Sequence, residues 1–128
     1  MELMCVILLS IKPEYVDKIF AGNKRYEFRR KGCKRQVSKI VIYATCPVRK
    51  VLGEMEIKQV LVDSPLRLWE CTKQYAGIDE NLFFKYFQGC SIAYGYEVKN
   101  VIRYNRARDL SEYGIAFAPQ SYIYLNME

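Results

Sequence analysis

Between Ser10 and Arg30 the chain reads SIKPEYVDKIFAGNKRYEFRR, a run that commits a strand end, a short helix, a glycine stop and a charged strand in immediate succession. Pro13 suits the first helical turn, where its fixed φ is already helical and its missing N–H is not needed. Val16, Ile19 and Phe20 fall at i, i+3 and i+4, the spacing of a helix with one apolar face. Gly22 stands where a left-handed residue ends such a helix, and glycine takes that conformation without a Cβ clash. Lys24 leaves the turn, after which Lys24, Tyr26, Phe28 and Arg30 alternate with Arg25, Glu27 and Arg29 along a strand. The compact turn therefore holds an ammonium, a carboxylate and a guanidinium side by side.

The rest of the chain reads as a strand-rich fold. Residues 4–11 form a near-continuous apolar run, as expected of a strand covered on both faces. Residues 39–45 are β-branched and aromatic, and residues 51–62 alternate apolar with polar, with Gly53 marking a bulge or a close backbone approach. Ser64 and Pro65 open a helix that Gly77 stops, and Asp79 caps a second one that Gly89 ends. Leu66, Trp69 and the Phe83, Phe84 and Phe87 group read as core or helix-packing residues. Residues 91–104 and 121–125 return to strand. The order β-α-β-β-β-α-α-β-β implies an α+β class, a small, partly open β-barrel with about three short helices packed at its ends. A length of 128 residues fits one domain spanning 1–128.

Charge and chemistry narrow the function. Residues 12–50 carry twelve Lys or Arg and three acids, net +9, while the remainder is net −3. A basic half joined to a mildly acidic one points to a polyanionic partner, nucleic acid above all. The chain has no histidine, which excludes Ser-His and Cys-His nucleophilic mechanisms. Five widely spaced cysteines form no CxxC pair, so no metal or other cofactor is implied, and reduced thiols suit a cytoplasmic protein. No apolar run approaches the roughly 20 residues of a membrane helix, and Glu2 opposes a signal peptide.

The spacing Gly22-x-Lys24-x-x-Glu27-x-Arg29 resembles the GxKxxExR signature of the ASCH domain, a branch of the PUA-like superfamily. The runs IVIYATCPV, VLGEMEI and APQSYIYL extend the likeness over most of the chain, to the small stand-alone ASCH proteins of prokaryotes and their mobile elements. That resemblance implies a PUA-like β-barrel, a cleft between barrel and first helix, and binding of RNA or a modified nucleobase. Some bacterial members resemble amidohydrolases of acetylated cytidine that use a lysine, a threonine and a glutamate. Lys24 matches the lysine, but Glu27 stands where the threonine is expected, and Glu54 or Glu56 would have to supply the second carboxylate.

The expected ligand site follows from these residues. Ser10 and Lys12, at a strand-to-helix junction, favour an anion. Gly22 lets a ligand approach the backbone, and Lys24 contacts a phosphate or base carbonyl. Glu27 and Arg29 form a fork that reads a base edge, or an ion pair that steadies the strand. Arg30 joins a basic loop with Lys31, Lys34 and Arg35 that meets phosphates. Tyr26 and Tyr43 offer stacking faces and Thr45 offers a hydroxyl; the family resemblance implies that Gln120 and Ser121, near the last strand, line the cleft. The leading expectation is a binding domain for RNA or a modified nucleotide. The alternative is a small histidine-free hydrolase of a modified nucleoside or of RNA, with Lys24 and Glu27 catalytic. DNA ranks behind RNA, because the late helices are more apolar than basic and form no helix-turn-helix.

Overall fold

The computed structural model describes residues 4–125; Glu2 lies outside the described residues. Six strands form one mixed sheet in the order β2-β5-β4-β3-β1-β6. The strands are β1 (Cys5–Ile11), β2 (Tyr26–Arg29), β3 (Val37–Ala44), β4 (Lys50–Asp63), β5 (Ala93–Arg108) and β6 (Tyr122–Leu125). β1 runs parallel to β3 and antiparallel to β6, and the other neighbours are antiparallel. Three helices accompany them: α1 (Pro13–Ala21), α2 (Pro65–Thr72) and α3 (Glu80–Tyr86). None is long and apolar enough to cross a membrane.

The burial of β1 explains its unalternating sequence. Ile7, Leu9 and Ile11 enter a core with Val16 and Ile19 of α1, while Leu8 enters a second core with Val41, Tyr43 and Val51 on the opposite face. A third cluster packs Leu68, Trp69, Phe83 and Phe87 of the two later helices on Phe28 and Ala93. Leu66 departs from expectation: it is largely exposed, because Leu68 and Trp69 occupy the inward face of α2.

Boundaries differ from the sequence reading where pairing outlasts the local pattern. β3 begins at Val37, which is buried, and β5 continues to Arg108 because β4 still pairs with it. The ladder between them is irregular. Val51 faces Arg108 and Gly53 faces Arg103, so Leu52 alone opposes the run from Tyr104 to Ala107. Gly53 permits this: a Cβ there would lie 2.3 Å from the Ile102 carbonyl oxygen.

The sheet is not closed by backbone pairing, yet its ends meet through side chains. β2 and β1 stand four places apart in the strand order. Nevertheless the Arg29 guanidinium of β2 donates to the Ser10 carbonyl of β1 at 2.8 Å. The sheet thus curls into a partly open barrel with a seam between β2 and β1.

Candidate functional site

The seam holds a hollow of about 610 Å³. Its polar wall comes from the motif that follows α1. Glu27 is 5% exposed, and its Oε2 accepts from Arg29 Nη2 at 2.7 Å and Nε at 3.2 Å. Both of them line the hollow with Ser10, Lys12, Arg30 and Thr45. α3 and the turn before it add an apolar wall of Ile78, Leu82 and Tyr86, together with the exposed Lys85.

Lys24 is the least ordinary side chain in the site. It is only 3% exposed, and its Nζ donates to the Ala76 carbonyl at 2.7 Å. The ammonium also sits 4.8 Å from the centre of the Phe28 ring and 5.1 Å from that of Tyr15. Desolvation lowers its pKa to about 8, against the opposing pull of Glu27; Lys18 and Arg29 push it the same way as burial. The lysine stem lies on Gly77, whose φ is +66°. A Cβ at that position would meet Lys24 Cβ at 2.4 Å, so glycine is needed both for the turn and for the passage of the stem. Lys18 of α1 donates to the Gly77 carbonyl and ties the same turn to the helix.

Of the residues named from the sequence, Ser10, Lys12, Lys24, Glu27, Arg29, Arg30, Thr45 and Gln120 come together around the hollow. Gly22 does not: it is the left-handed C-cap of α1, its N–H bonded to helix carbonyls, and it caps without lining the cleft. Tyr26 turns to the cluster under α2 and α3. Tyr43 is buried in the core behind the seam, where β3 runs between β1 and β4, and has no open ring face for stacking. Ser10 uses its hydroxyl on the Pro119 carbonyl, so it anchors the loop before β6. Glu54 is bound by Lys39 and Tyr104, and Glu56 lies near Lys99; neither lines the hollow. Among the described residues no group of Cys, Asp and Glu is placed to hold a metal ion.

Sequence reasoning missed Tyr15, the Ala76–Gly77 turn, and the α3 wall. Leu82 and Tyr86 repeat at i and i+4, one step ahead of the buried pair Phe83 and Phe87. That offset marks a second apolar face on α3, and the second face is the one that looks into the cleft.

The sequence profile of the ASCH domain matches residues 9–122. The chain is 30% identical over 125 residues to the ASCH domain-containing ribonuclease of Zymomonas mobilis, covering 94% of this chain and 84% of that one. It is 25% identical over 120 residues to the large ribosomal subunit protein uL22 of Ureaplasma parvum, across 93% of this chain. It spans only 39% of the length of that relative, and 15% of an ATP synthase subunit alpha from the same species. The crystal structure of ASCH from Zymomonas mobilis superposes with a TM-score of 0.86 at 27% identity, covering 94% of this chain and 87% of that one. A point variant of that protein gives 0.87 at 25% identity, covering 98% and 92%.

Proposed function

The chain belongs to the ASCH domain family, and from that premise we propose that the seam cleft binds RNA by taking one nucleotide, modified or not, out of the strand. The hollow has the volume of a small-ligand site, roughly 300–1,000 Å³. A base enters with one face against the wall of Leu82 and Tyr86 and its edge toward the floor. Arg29 engages Glu27 through Oε2, leaving Oε1 to accept from an exocyclic amine, while Lys24 donates to a ring nitrogen or carbonyl. Lys12, Arg30 and Lys85 at the rim meet the phosphates. The observation that carries this reading is the buried ammonium of Lys24 on the floor of a basic cleft, a group far more expensive to bury than a neutral side chain.

Fluorescence anisotropy with labelled RNA pools at low salt tests it. Lys24→Ala is expected to weaken binding at least tenfold, since a charge-assisted bond contributes about 1.5–3 kcal/mol. Absence of binding by the native protein, or indifference to the substitution, defeats the reading.

A second reading, RNA cleavage, is favoured by the burial of Lys24 in the hollow with Glu27: desolvation lowers the lysine pKa to about 8, so that a minor part of it is neutral near pH 7 and able to act as a general base. A relative bearing the name ribonuclease supports it. Glu54 and Glu56 stand away from the cleft, so Glu27 is the carboxylate left to a hydrolase here. The two readings respond oppositely to pH. Cleavage by neutral Lys24 rises toward about pH 8 and then levels, whereas binding through the ammonium weakens above about pH 8.

A further inference from the structure

The hollow at the seam is not the only one near this end of the sheet. Register places Ser10 beside Tyr43, Tyr43 beside Val51, and Val51 beside Arg108. Three strand spacings separate the cleft residue from the arginine, about 14 Å along the sheet. At the far end of this row the β5 bulge opens a second hollow, of about 490 Å³, lined by Ile102, Arg103, Tyr104, Asn105, Arg106 and Arg108. Consecutive residues of a strand point to opposite faces, so a hollow lined by all of 102–106 runs along the strand edge.

Its cations are partly held in reserve. Arg106 pairs with Glu112, and Lys50 with Asp109. Among the described residues Arg49, Arg103 and Arg108 have no carboxylate within salt-bridge distance, although Arg103 lies 5.2 Å over the Phe20 ring and Glu54 and Glu112 act on Arg108 from further away. Arg108 is instead laid flat over the Tyr104 ring at 3.8 Å and donates to the Tyr113 hydroxyl. Arg49 is exposed directly before β4. The loop from Gly114 to Ser121 bridges the same end of the sheet. Ile115 N–H bonds the Leu110 carbonyl just beyond β5, and the Pro119 carbonyl accepts from Ser10 in the cleft. On that bridge stands Phe117, 86% exposed.

Resting on the reading of the cleft as an RNA site, we infer that this end of the sheet is a second subsite for the same single strand, with Arg49, Arg103 and Arg108 on successive phosphates and Phe117 under an unstacked base. Cations with no carboxylate at salt-bridge distance match a phosphodiester chain. An open aromatic face on the loop that bridges the same end of the sheet matches a nucleobase, whereas an acidic peptide offers it nothing to stack on. Aromatic platforms combined with a basic track are how sequence-tolerant single-strand binding is achieved.

The test compares a labelled trinucleotide with an oligonucleotide of about 12 residues, long enough to reach both subsites. Anisotropy is measured for the native protein, for Phe117→Ala and for the double variant Arg49→Gln with Arg103→Gln. Each altered side chain is outside the cleft and exposed, so the fold should survive. The trinucleotide should bind all three proteins alike. The long strand should bind Phe117→Ala about tenfold more weakly, and the double variant, short of two phosphate contacts, should lose about 1.4 from its salt slope. The inference is overturned if the long strand is indifferent to both changes. It is equally overturned if the trinucleotide suffers as much as the long strand, or if polyglutamate displaces the long strand as effectively as unlabelled RNA. Lys24→Ala separates the two sites: trinucleotide binding that ignores Lys24 removes the cleft reading, while length-dependent loss at Phe117 and the arginines still stands or falls by itself.

Discussion

An ammonium that has given up its hydration for one carbonyl and two ring faces is only partly compensated. The lowered pKa of Lys24 states the same cost as a proton equilibrium. Its folded value, about 8, lies below the ordinary 10.5, so between those values the unfolded chain binds more protons than the folded one. Stability from this group must therefore rise as pH climbs from about 8 to about 10.5, by on the order of 3 kcal/mol. Lys24→Met has no such titration. The Ala76 carbonyl left without its donor costs about 1–3 kcal/mol, which offsets part of the relief at neutral pH. Urea denaturation of both proteins at about pH 7 and about pH 10 checks the sign: the native protein should gain on the methionine variant as pH rises. A gap that does not move would show that the ammonium is well solvated after all. Lys24 itself was legible from its place after the Gly22 turn. Its partners were not, because the bond to Ala76 joins residues 52 apart in the chain and no local pattern encodes it.

At the scale of elements, the seam depends on one arginine. β2 has four residues and pairs only with β5, so its other side is held by Arg29, which bridges Glu27 on its own strand and Ser10 on β1. Removing the guanidinium leaves the Glu27 carboxylate buried beside Lys24 and the Ser10 carbonyl unpaired. Arg29→Ala should therefore cost about 3–5 kcal/mol, and Arg29→Lys should recover only part of it, since an ammonium cannot form the fork. Chemical denaturation gives the energies, and faster amide exchange in β2 would localise the damage to the seam. The elements themselves were readable. The helical spacing in α1, the unbroken apolar run of β1 and the caps at Ser64 and Asp79 each reflect a local rule, and both cap side chains do accept from helix N–H groups. Gly53 was itself legible as a bulge or a close backbone approach, and the irregular pairing and the nearby Ile102 carbonyl bear this out; what escaped was the length of the β5 run opposite Leu52 and the cleft-facing side of α3, because both depend on which strand or cleft lies alongside.

For the molecule as a whole, the α+β class and the partly open barrel followed from element order, and the net +9 of residues 12–50 announced a polyanion before any cleft was visible. The same charge is not all used in one way. Arg30 lies at the cleft with its guanidinium 4.5 Å over Tyr86, and Arg35 lies 4.7 Å over Tyr124, whereas Lys31 and Lys34 stand exposed on the loop between β2 and β3. Those two lysines touch none of the cleft, so their contribution is to the long-range field and not to the bound contacts. Fields of this kind raise encounter rates and leave dissociation nearly unchanged, and they act only within a Debye length, about 8 Å at physiological salt. Replacing both by glutamate changes the local charge by four units while leaving the floor of the cleft intact. Stopped-flow binding of RNA should then show association slowed by about tenfold at low salt, with dissociation within about twofold of native. Raising the salt should erase most of the difference. A change confined to dissociation would instead place Lys31 and Lys34 in contact with the bound strand, and would move the phosphate path from the end of the sheet to this loop.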